Sequence, residues 1–459
     1  MQVSEYRTIL VINNRVVYAA SHHVERRNWH CVMHRLTITV SAEITSLAER
    51  LRIHQPVVFF ANVWVRTEKN TPVVRNQTIH MRNPIVSYDF SAKCYKFPSY
   101  LRRAAIVEAL GKVSSYRSNL ANWEAAESAK RGKQPSLPQV GYVYPAMYRS
   151  GMFVCTEMYR ATVNVFIRNT WDWVLVDFRK SDADYILRHC KNYRECVPTL
   201  QKRGKKWFLD FVFQTAVKLP DTKIQHTRIL AVDLGLNSAC TCSIMTPEGA
   251  VLGREFLSLP GEYDSLEHAV SHIKHAQKLC ARKTPGLWKQ AKGINDDIAV
   301  KTARFIVDTA IKYDVDCIVM EHLDLAGKKR GSKKQRLHLW RAKYVHSMVT
   351  DKAHRNMIRV DRVCAWNTSR LAFDGSGRVM RGKEADLPSY SLCRFPTGKQ
   401  YNCDLNASYN IGSRYYIREL LKTLPVTAGQ AVTANVPELA HRSKCTLSSL
   451  IKLNAALAA

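Results

Sequence analysis

Three carboxylates in the sequence stand where predicted secondary structure elements begin or end. Asp233 closes the apolar run at residues 229–232, and Glu321 closes another at residues 317–320. Both runs have the length and composition of buried strands. A charged side chain in such a strand costs free energy unless a cation or a metal ion pairs with it. Asp233 and Glu321 are therefore candidates for a metal site.

The third carboxylate, Asp404, precedes a predicted amphipathic helix. Taken alone, Asp404 is best interpreted as a helix N-cap, a role that aspartate often fills. Taken with Asp233 and Glu321, it completes the order Asp, Glu, Asp, which matches the way an RNase H-like fold gathers three carboxylates into one cluster.

Such a cluster predicts a particular chemistry. Three neighbouring carboxylates repel one another unless divalent cations lie between them, and magnesium suits an all-oxygen site. Two ions about 3.5–4 Å apart activate a water and stabilise the leaving oxygen of a phosphodiester. We therefore predict hydrolytic strand cleavage with two Mg²⁺ ions, for which Asp233, Glu321 and Asp404 are the catalytic residues and the metal ligands.

The segments around these acids predict an α/β domain. Residues 227–257 have the pattern of a three-stranded β-meander, in which Gly235 lets the chain turn after Asp233. A helix before the strand of Glu321 directs a set of side chains towards a sheet: Ile298, Thr302, Phe305, Ile306 and Thr309.

Composition and charge limit the class of protein. The chain has 459 residues, enough for two to four domains, and no apolar run approaches the length of a membrane span. The N-terminal segment lacks the features of a secretory signal, so we expect a cytoplasmic protein of a prokaryotic cell, associated with the nucleoid. A formal charge of +31 indicates a polyanionic partner, and nucleic acid is the common one.

The cysteines and histidines provide weaker candidates. None of the 13 cysteines forms a CxxC pair, which favours reduced thiols over a disulfide framework. The histidines of HCVMH, His30 and His34, are four residues apart beside His22, His23 and Cys31. We favour a β-strand here, on which that spacing does not converge on a metal.

The N-terminal half predicts a β-domain interrupted by helices. The segment 160–178 has the pattern of a hairpin, and the alternation of Trp207, Leu209, Phe211 and Phe213 predicts a further strand. Helical patterns begin near Ser41 and end at a linker, rich in small, basic and proline residues, at residues 125–145.

Four segments resemble the successive RuvC motifs of the transposon-encoded TnpB nucleases and of the related miniature type V CRISPR effectors. They are LAVDLGLNSACTC, CIVMEHLDLAGKKRG, VDRVCAWNTSRLAFDGSG and NCDLNASYNIG, and they cover residues 227 to about 418 with the pair Thr368 and Ser369. In that family the three acids matching Asp233, Glu321 and Asp404 bind the catalytic metal ions. The family consists of RNA-guided DNA endonucleases, so the resemblance implies a guide RNA and target double-stranded DNA as partners.

The resemblance also implies a division of the chain. It predicts a multi-domain protein with an N-terminal β-barrel wedge domain that carries a helical recognition insertion, followed by an α/β RNase H-like RuvC domain with a small insertion. The boundaries are 1–40 and 136–225 for the wedge, 41–135 for the recognition domain, 226–365 and 401–459 for RuvC, and 366–400 for the small insertion.

One motif departs from the family. Relatives carry two CxxC zinc knuckles before the last Asp, whereas this chain keeps Cys393 and has Pro396 where its partner would stand. A structural zinc site needs four ligands, and Cys364, Cys393 and Cys403 do not supply them. We therefore predict a degenerate insertion without zinc, which binds target nucleic acid and whose turns use three glycines: Gly375, Gly377 and Gly398.

Two groups of residues are predicted to contact nucleic acid. A basic segment after Glu321 is either a solvated loop or a lid over the cut strand, and its cations are Lys328, Lys329, Arg330, Lys333, Lys334 and Arg336. The segment YKFPSYLRRAA lies where the family contacts its target-adjacent motif, and its candidates are Lys96, Tyr100, Arg102 and Arg103. A second basic stretch, residues 272–293, either touches nucleic acid or covers the sheet.

Two alternatives remain open from the sequence. The first is an unguided RuvC-like nuclease, such as a junction resolvase or a transposase-associated enzyme. The second is a DNA-binding repressor with an inactive nuclease, for which we would expect at least one of the three acids to be missing. Transposon and CRISPR settings share the same core and are not separated by the sequence.

Overall fold

The structure is a computed structural model. It describes residues 11–12, 15–16, 29–39, 114–128, 131–136, 151–157, 159–167, 170–203, 206–235, 238–279, 284–323, 340–389 and 391–458. The chain divides into two compact units, the first covering residues 1–25 and 33–215 and the second covering residues 26–32 and 216–459.

The described residues of the N-terminal half are mainly antiparallel β-structure. Its strands are β1 (Val11–Ile12), β2 (Arg15–Val16), β3 (Trp29–Thr39), β4 (Phe153–Glu157), β5 (Arg160–Ile167), β6 (Thr170–Asp177), β7 (Arg194–Glu195), β8 (Thr199–Arg203) and β9 (Lys206–Lys218). One helix, α1 (Lys180–His189), follows β6, and another spans residues 114–125. The strand orders are β1-β2, β4-β5-β6 and β3-β9-β7, with β8 also paired to β9.

This half confirms several sequence predictions. The predicted hairpin is β5 and β6, paired antiparallel from Arg160↔Asp177 to Ile167↔Thr170. Leu209, Phe211 and Phe213 of β9 lie in the same buried cluster as residues of β4, β5 and β6. The segment HCVMH lies on β3, as expected. Within the described residues, these strands form separate sheets and no closed barrel, so the wedge barrel stays a prediction.

The second unit contains a sheet flanked by helices. Its elements are β10 (Ile229–Asp233), β11 (Cys240–Met245), β12 (Val251–Leu257), α2 (Pro260–Lys278), α3 (Pro285–Lys312), β13 (Cys317–His322), α4 (Ala342–Arg355), β14 (Arg359–Cys364), β15 (Met380–Arg381), β16 (Leu392–Arg394), β17 (Gln400–Asn402), α5 (Cys403–Thr423), α6 (Val426–Asn435) and α7 (Leu447–Ala458). Short 3₁₀ turns lie at Ile224–His226, Gly382–Glu384 and Pro437–Ala440.

The sheet has the order β12-β11-β10-β13-β14. The first three strands form the predicted antiparallel meander, and β13 and β14 then add in parallel to β10. The helix α3 buries Ile298, Thr302, Ile306 and Thr309, as its periodicity predicts. The strand β10 is buried throughout its apolar run because it lies at the centre of the sheet with helices on both faces.

The helix after Asp404 is not amphipathic, so that prediction was wrong. Every residue of α5 from Cys403 to Ile417, apart from the half-buried Asp404, is buried. The helix packs on one face of the sheet and is covered on its other side by α7 and by the small insertion. Several of its polar side chains are hydrogen-bonded inside the protein, for example through the 2.6 Å hydrogen bond between the hydroxyls of Ser408 and Ser243 on β11.

The close approach of α5 to the sheet depends on Gly412. A Cβ at this position would lie 3.1 Å from the Cβ of Ala231 and would overlap the Sδ of Met245. We predict that Gly412→Ala lowers the free energy of unfolding by about 1–3 kcal/mol, because a packed core must shift to admit the methyl group. Denaturant unfolding measures this change.

A second helical glycine provides the control. A Cβ at Gly429 on α6 meets no atom within 4 Å. Gly429→Ala should therefore raise the free energy of unfolding by up to about 1 kcal/mol through helix propensity alone. Equal effects of the two substitutions would contradict the packing argument.

The small insertion is a three-stranded antiparallel sheet in the order β15-β16-β17. Its core contains Ala372, Val379, Cys393, Phe395 and Cys403. The three glycines predicted to form its turns have positive φ angles: 81° for Gly375, 127° for Gly377 and 84° for Gly398. These are conformations that favour glycine, so the turn prediction is confirmed.

Candidate active site

Asp233 and Glu321 lie next to each other on adjacent parallel strands. The last pair of the β10–β13 ladder is Val232↔Met320, and each acid follows one residue later. Neighbouring strands lie about 4.8 Å apart, and side chains alternate between the two faces. Ala231 and Val319, two residues earlier, both pack with α5. The two acids therefore point to the face that α5 covers.

Gly235 permits the turn that follows Asp233. A Cβ at this position would lie 2.6 Å from the carbonyl oxygen of Ser238, a separation that real Cβ atoms do not show. The Ser238 hydroxyl donates a hydrogen bond to the carboxylate of Asp404, which partly offsets the rise that burial causes in the pKa of that acid. The predicted role of Gly235 is therefore confirmed, and the turn connects two of the three acids.

Asp404 lies in the first turn of α5 but does not cap it. The N-cap is Asn402, whose Oδ1 accepts hydrogen bonds from the backbone N–H groups of Asp404 and Leu405, both at 2.9 Å. The N-cap interpretation of Asp404 was therefore wrong, because the residue two positions earlier fills that role. The Asp404 carboxylate stays available at the positive end of the helix dipole.

Glu321 is buried, Asp233 and Asp404 are half-buried, and the charges of Glu321 and Asp404 act on Asp233. Burial raises the pKa of Asp233 well above its ordinary value, and the charges of Glu321 and Asp404 raise it further. Burial also raises the pKa of Glu321, against a hydrogen bond from Thr368 and the charge of Arg414. Burial likewise raises the pKa of Asp404, against the charge of Arg381. The structure thus brings the three predicted acids into one electrostatic site.

The three carboxylates are the kind of ligand that a hard divalent cation binds, although their side chains do not already converge on one position. Three carboxylates supply only oxygen ligands, which magnesium prefers. Within the described residues, no three Asp, Glu, His or Cys side chains converge in a ready-made metal geometry. Burial, and then the charges of Glu321 and Asp404, raise the pKa of Asp233, and a divalent cation between the acids would offset that repulsion.

Thr368 of the predicted TS pair positions Glu321. Its hydroxyl is buried and donates a hydrogen bond to Oε1 of Glu321. The loop that carries Thr368 is itself attached to α5, because Asn410 Nδ2 donates to the carbonyls of Thr368 and Leu371 at 2.9 Å each. Asn406 Nδ2 donates to the Leu371 carbonyl as well, at 2.8 Å. The NASYN motif therefore fixes the loop that orients the second acid.

Thr368→Val is expected to reduce metal-dependent activity by about 10–100-fold, since it removes the hydrogen bond that orients Glu321, a predicted metal ligand, while keeping the side-chain shape. The measurement is cleavage rate against Mg²⁺ concentration, and a higher Mg²⁺ requirement is the expected signature. Thr350→Val is the matched control, because the Thr350 hydroxyl bonds only within its own helix, to the His346 carbonyl. An unchanged Mg²⁺ requirement in Thr368→Val would contradict the positioning role.

Arg381 is a site residue that the sequence analysis missed. It lies on β15 of the small insertion, and its positive charge acts on both Asp233 and Asp404. Its Nε and Nη2 atoms are buried and have no hydrogen-bond acceptor among the described residues. Donors in that state are costly unless an acceptor arrives, and a phosphate oxygen beside the acids is a suitable one.

No sequence signal marks Arg381, since it is one of many arginines and lies 23 positions before Asp404. Strand pairing brings it to the site. Arg381 is opposite Cys393, Cys393 is opposite Tyr401, and Asp404 follows three residues later. The signal that could have identified it is the predicted position of the insertion immediately before the last acid.

The insertion also brings two thiols together. Cys393 and Cys403 are buried in one cluster and share a hydrogen bond, which lowers the pKa of Cys393 and raises that of Cys403. Cys364 lies at the end of β14, is exposed, and belongs to a different surface. The structure therefore does not bring the three cysteines together.

The predicted nucleic-acid contacts lie outside the described residues. This applies to the lid cations Lys328, Lys329, Arg330, Lys333, Lys334 and Arg336, and to the N-terminal candidates Lys96, Tyr100, Arg102 and Arg103. In the described part of the chain, no helix is both long and apolar enough to cross a membrane.

Comparisons with known proteins agree with the motifs. A sequence-family profile described as the Aq_aa04 family matches residues 60–167. The TnpB-like protein aq_aa05 of Aquifex aeolicus strain VF5 is 27% identical over 233 residues, which span 46% of this chain and 74% of that protein. The predicted resemblance to the TnpB family is therefore confirmed.

Two solved structures show a weaker likeness. A Cas12f1 structure with sgRNA and target DNA is 13% identical with a TM-score of 0.47, covering 84% of this chain and 99% of that one. The Alicyclobacillus acidoterrestris C2c1 structure with single-guide RNA is 11% identical with a TM-score of 0.40, covering 80% of this chain and 66% of that one.

Proposed function

We propose that this protein is an RNA-guided DNA endonuclease that hydrolyses phosphodiester bonds in a RuvC-type, two-metal active site. The observation that carries the proposal is the arrangement of Asp233 and Glu321 at the ends of two neighbouring strands, with Asp404 in the first turn of α5, the helix that covers that face of the sheet. The relation to a TnpB-like protein, together with four motifs in RuvC order, supports guided cleavage over other uses of such a site.

The topology supports the RNase H-like assignment of the second unit. A three-stranded antiparallel meander followed by two parallel strands, in the order β12-β11-β10-β13-β14, is the arrangement of that fold. It places the ends of β10 and β13 beside the start of α5. The acids of three separate motifs meet for this reason, and residues 226–365 with 401–459 are the RuvC domain of the proposal.

The chain's own groups would have separate roles in the reaction. Asp233, Glu321 and Asp404 would hold two Mg²⁺ ions, which activate a water and stabilise the leaving oxygen when bound. Thr368 keeps the Glu321 carboxylate in position, and Arg414 lies close enough for its charge to lower the pKa of that acid. Arg381 would donate its unused N–H groups to the scissile phosphate and so position it against the acids.

Charge supports guidance by RNA. A guided enzyme must bind a guide and a heteroduplex of roughly 20 bp by shape and backbone, which requires many phosphate contacts. The net charge of +31 suits that demand. The predicted lid, residues 328–336, would contact the cut strand, and residues 95–103 would contact the target-adjacent motif. The proposed setting is the cytoplasm of a prokaryotic cell.

The experiment that tests guidance is sequencing of the RNA that co-purifies with the protein expressed together with its native flanking DNA. We expect one discrete structured RNA with a variable end, and a target matching that end should be cut when Mg²⁺ is present. Repeat-derived sequence in the RNA would indicate a CRISPR setting. Bulk cellular RNA alone, combined with cutting that ignores sequence, would contradict guidance and favour the unguided nuclease.

A further inference from the structure

A cavity of about 380 Å³ lies in the second unit, and none of the three acids lines it. It is bounded by the ends of β13 and β14, the C-terminal half of α5, and the 3₁₀ turn Pro437–Ala440 with the residues that follow it. Its basic wall contains six side chains: His322, Arg362, Arg414, Arg418, Lys422 and Arg442. No acidic side chain of the described residues lines it.

Half of these basic groups are already used by the fold. Arg414 donates to the carbonyls of Cys364, Trp366, Ser443 and Cys445, so it stabilises two loops. Arg418 and Lys422 form ion pairs on the outside of α5. Arg418 pairs with the carboxylates of Asp361 and Glu419, and Lys422 pairs with the carboxylate of Glu419.

The remaining basic groups are available to a ligand. In the described part of the chain, Arg362, Arg442 and His322 have no side-chain hydrogen bond or ion pair. Arg362 and Arg442 are exposed at the cavity. Two unpaired guanidinium groups at one cavity provide the planar donors that bind phosphate oxygens in pairs.

The rest of the lining is apolar. Val363, Ile417, Leu421 and Leu439 form this surface, and they belong to the core of the sheet face that α5 covers. Cavities of about 300–1,000 Å³ that combine apolar walls with a few polar groups are typical of small-molecule sites. A free anion such as phosphate would use the arginines but leave the apolar surface exposed, whereas a nucleotide would use both.

The cavity lies beside the active-site loop. His322 directly follows Glu321, and Arg414 connects the lining residue Cys364 to Trp366, whose carbonyl it binds at 2.8 Å. Trp366 is 70% exposed and lies two residues before Thr368, which orients Glu321. An exposed indole at such a place is a stacking surface for a base. A strand that passes the acids would thus meet Trp366 next to the cavity.

We propose that this cavity is a second nucleotide-binding site, separate from the catalytic acids. It takes one phosphate-bearing nucleotide, with the phosphate on Arg362 and Arg442 and the base against the apolar surface. The nucleotide is either a unit of a bound single strand or a free mononucleotide, since both present the same chemistry. The site goes beyond the proposed nuclease activity and does not require it.

Cys364 provides a direct test because it is exposed and lines the cavity. The full-length protein is alkylated with iodoacetamide, and the rate at Cys364 is read by peptide mass spectrometry. The probes are deoxyadenosine 5′-monophosphate, a 5′-phosphorylated single-stranded oligonucleotide, and inorganic phosphate. Cys155, which is exposed in the first unit, reports on any general effect of a probe on the reagent.

The expected result is about tenfold slower alkylation of Cys364 at a probe concentration of about nine times Kd, with Cys155 unchanged. The double variant Arg362→Ala with Arg442→Ala should lose this protection. Arg304→Ala should keep it, because Arg304 is an exposed cation on α3 that pairs with Asp308. Protection by the oligonucleotide alone identifies a strand nucleotide as the ligand, and protection by the mononucleotide identifies a free nucleotide.

Three results would overturn the proposal: no protection by either nucleotide probe, equal protection by inorganic phosphate, or protection that survives in the double variant. Because the readout is thiol alkylation, it is independent of cutting. A protein that cuts as proposed but shows no protection refutes the cavity site alone, and a protected protein that never cuts refutes the nuclease alone.

Discussion

Asp233→Asn is expected to abolish DNA cutting while leaving binding of RNA and DNA intact. The substitution keeps the size of the side chain and removes the charge that a metal ion needs. Metal ions supply several kcal/mol of transition-state stabilisation in such sites, and each 1.36 kcal/mol is tenfold in rate, so we expect a loss of about 10³-fold or more. Cleavage rate and nucleic-acid affinity are measured on the same preparation.

A surface acid provides the control for this experiment. Asp308 lies exposed on α3, and Asp308→Asn should leave both cutting and binding unchanged. Cutting at the wild-type rate by Asp233→Asn would remove Asp233 from the catalytic set. Loss of binding together with cutting would show instead that the residue is needed for the fold.

The second large effect concerns stability without metal. In EDTA, Asp233→Asn is expected to unfold at a higher temperature than the wild type, because it removes a buried charge that Glu321 and Asp404 repel. Each pKa unit by which the fold disfavours the charged form corresponds to about 1.36 kcal/mol, and each kcal/mol raises Tm by about 2–4 °C in a unit of this size.

Magnesium should reverse the order of thermal stability, so that the wild type unfolds at a higher temperature than Asp233→Asn. Saturating Mg²⁺ binds the folded wild type and raises its Tm, whereas it should act only weakly on Asp233→Asn. Scanning calorimetry in EDTA and in Mg²⁺ measures both effects. A variant that is less stable than the wild type in EDTA, or equal Mg²⁺ shifts in both proteins, would contradict the electrostatic account of the site.

The same repulsion determines whether the stability of the metal-free protein rises or falls with pH. Because the folded-state pKa of Asp233 is raised above the ordinary value of 3.8, the folded protein binds the proton more tightly than the unfolded chain does. Asp233 therefore destabilises the metal-free fold as pH rises through the range above 3.8, and the wild type should approach the stability of Asp233→Asn as pH falls towards that value.

Much of the second unit could be predicted from the sequence, for identifiable physical reasons. The strands β10 and β13 are apolar runs that end in an acid, and an unpaired charge at the end of a buried strand is too costly to lie there without a cation or a metal ion. The meander and α3 follow from periodicity, which local sequence determines. Gly235, Gly375, Gly377 and Gly398 mark turns because close contacts or positive φ angles exclude other residues there.

The errors and omissions have a common cause, which is that they depend on tertiary contacts. Asn402 and Asp404 are both good N-caps by type, and only the backbone geometry decides between them. The helix α5 lacks an apolar stripe from Leu405 to Ile417 because protein surrounds that part of it on every side. Arg381 reaches the acids only through strand pairing in the insertion, and the basic cavity joins residues from four separate segments.

The most direct test of the central claim is an anomalous difference map from crystals of the full-length protein grown with Mn²⁺. We expect one or two peaks between the carboxylates of Asp233, Glu321 and Asp404, and two occupied sites should lie about 3.5–4 Å apart. Arg381 should lie beside them with its guanidinium facing the metals or a bound phosphate. Peaks found only elsewhere on the protein, or no peak among the three acids at saturating Mn²⁺, would contradict the account.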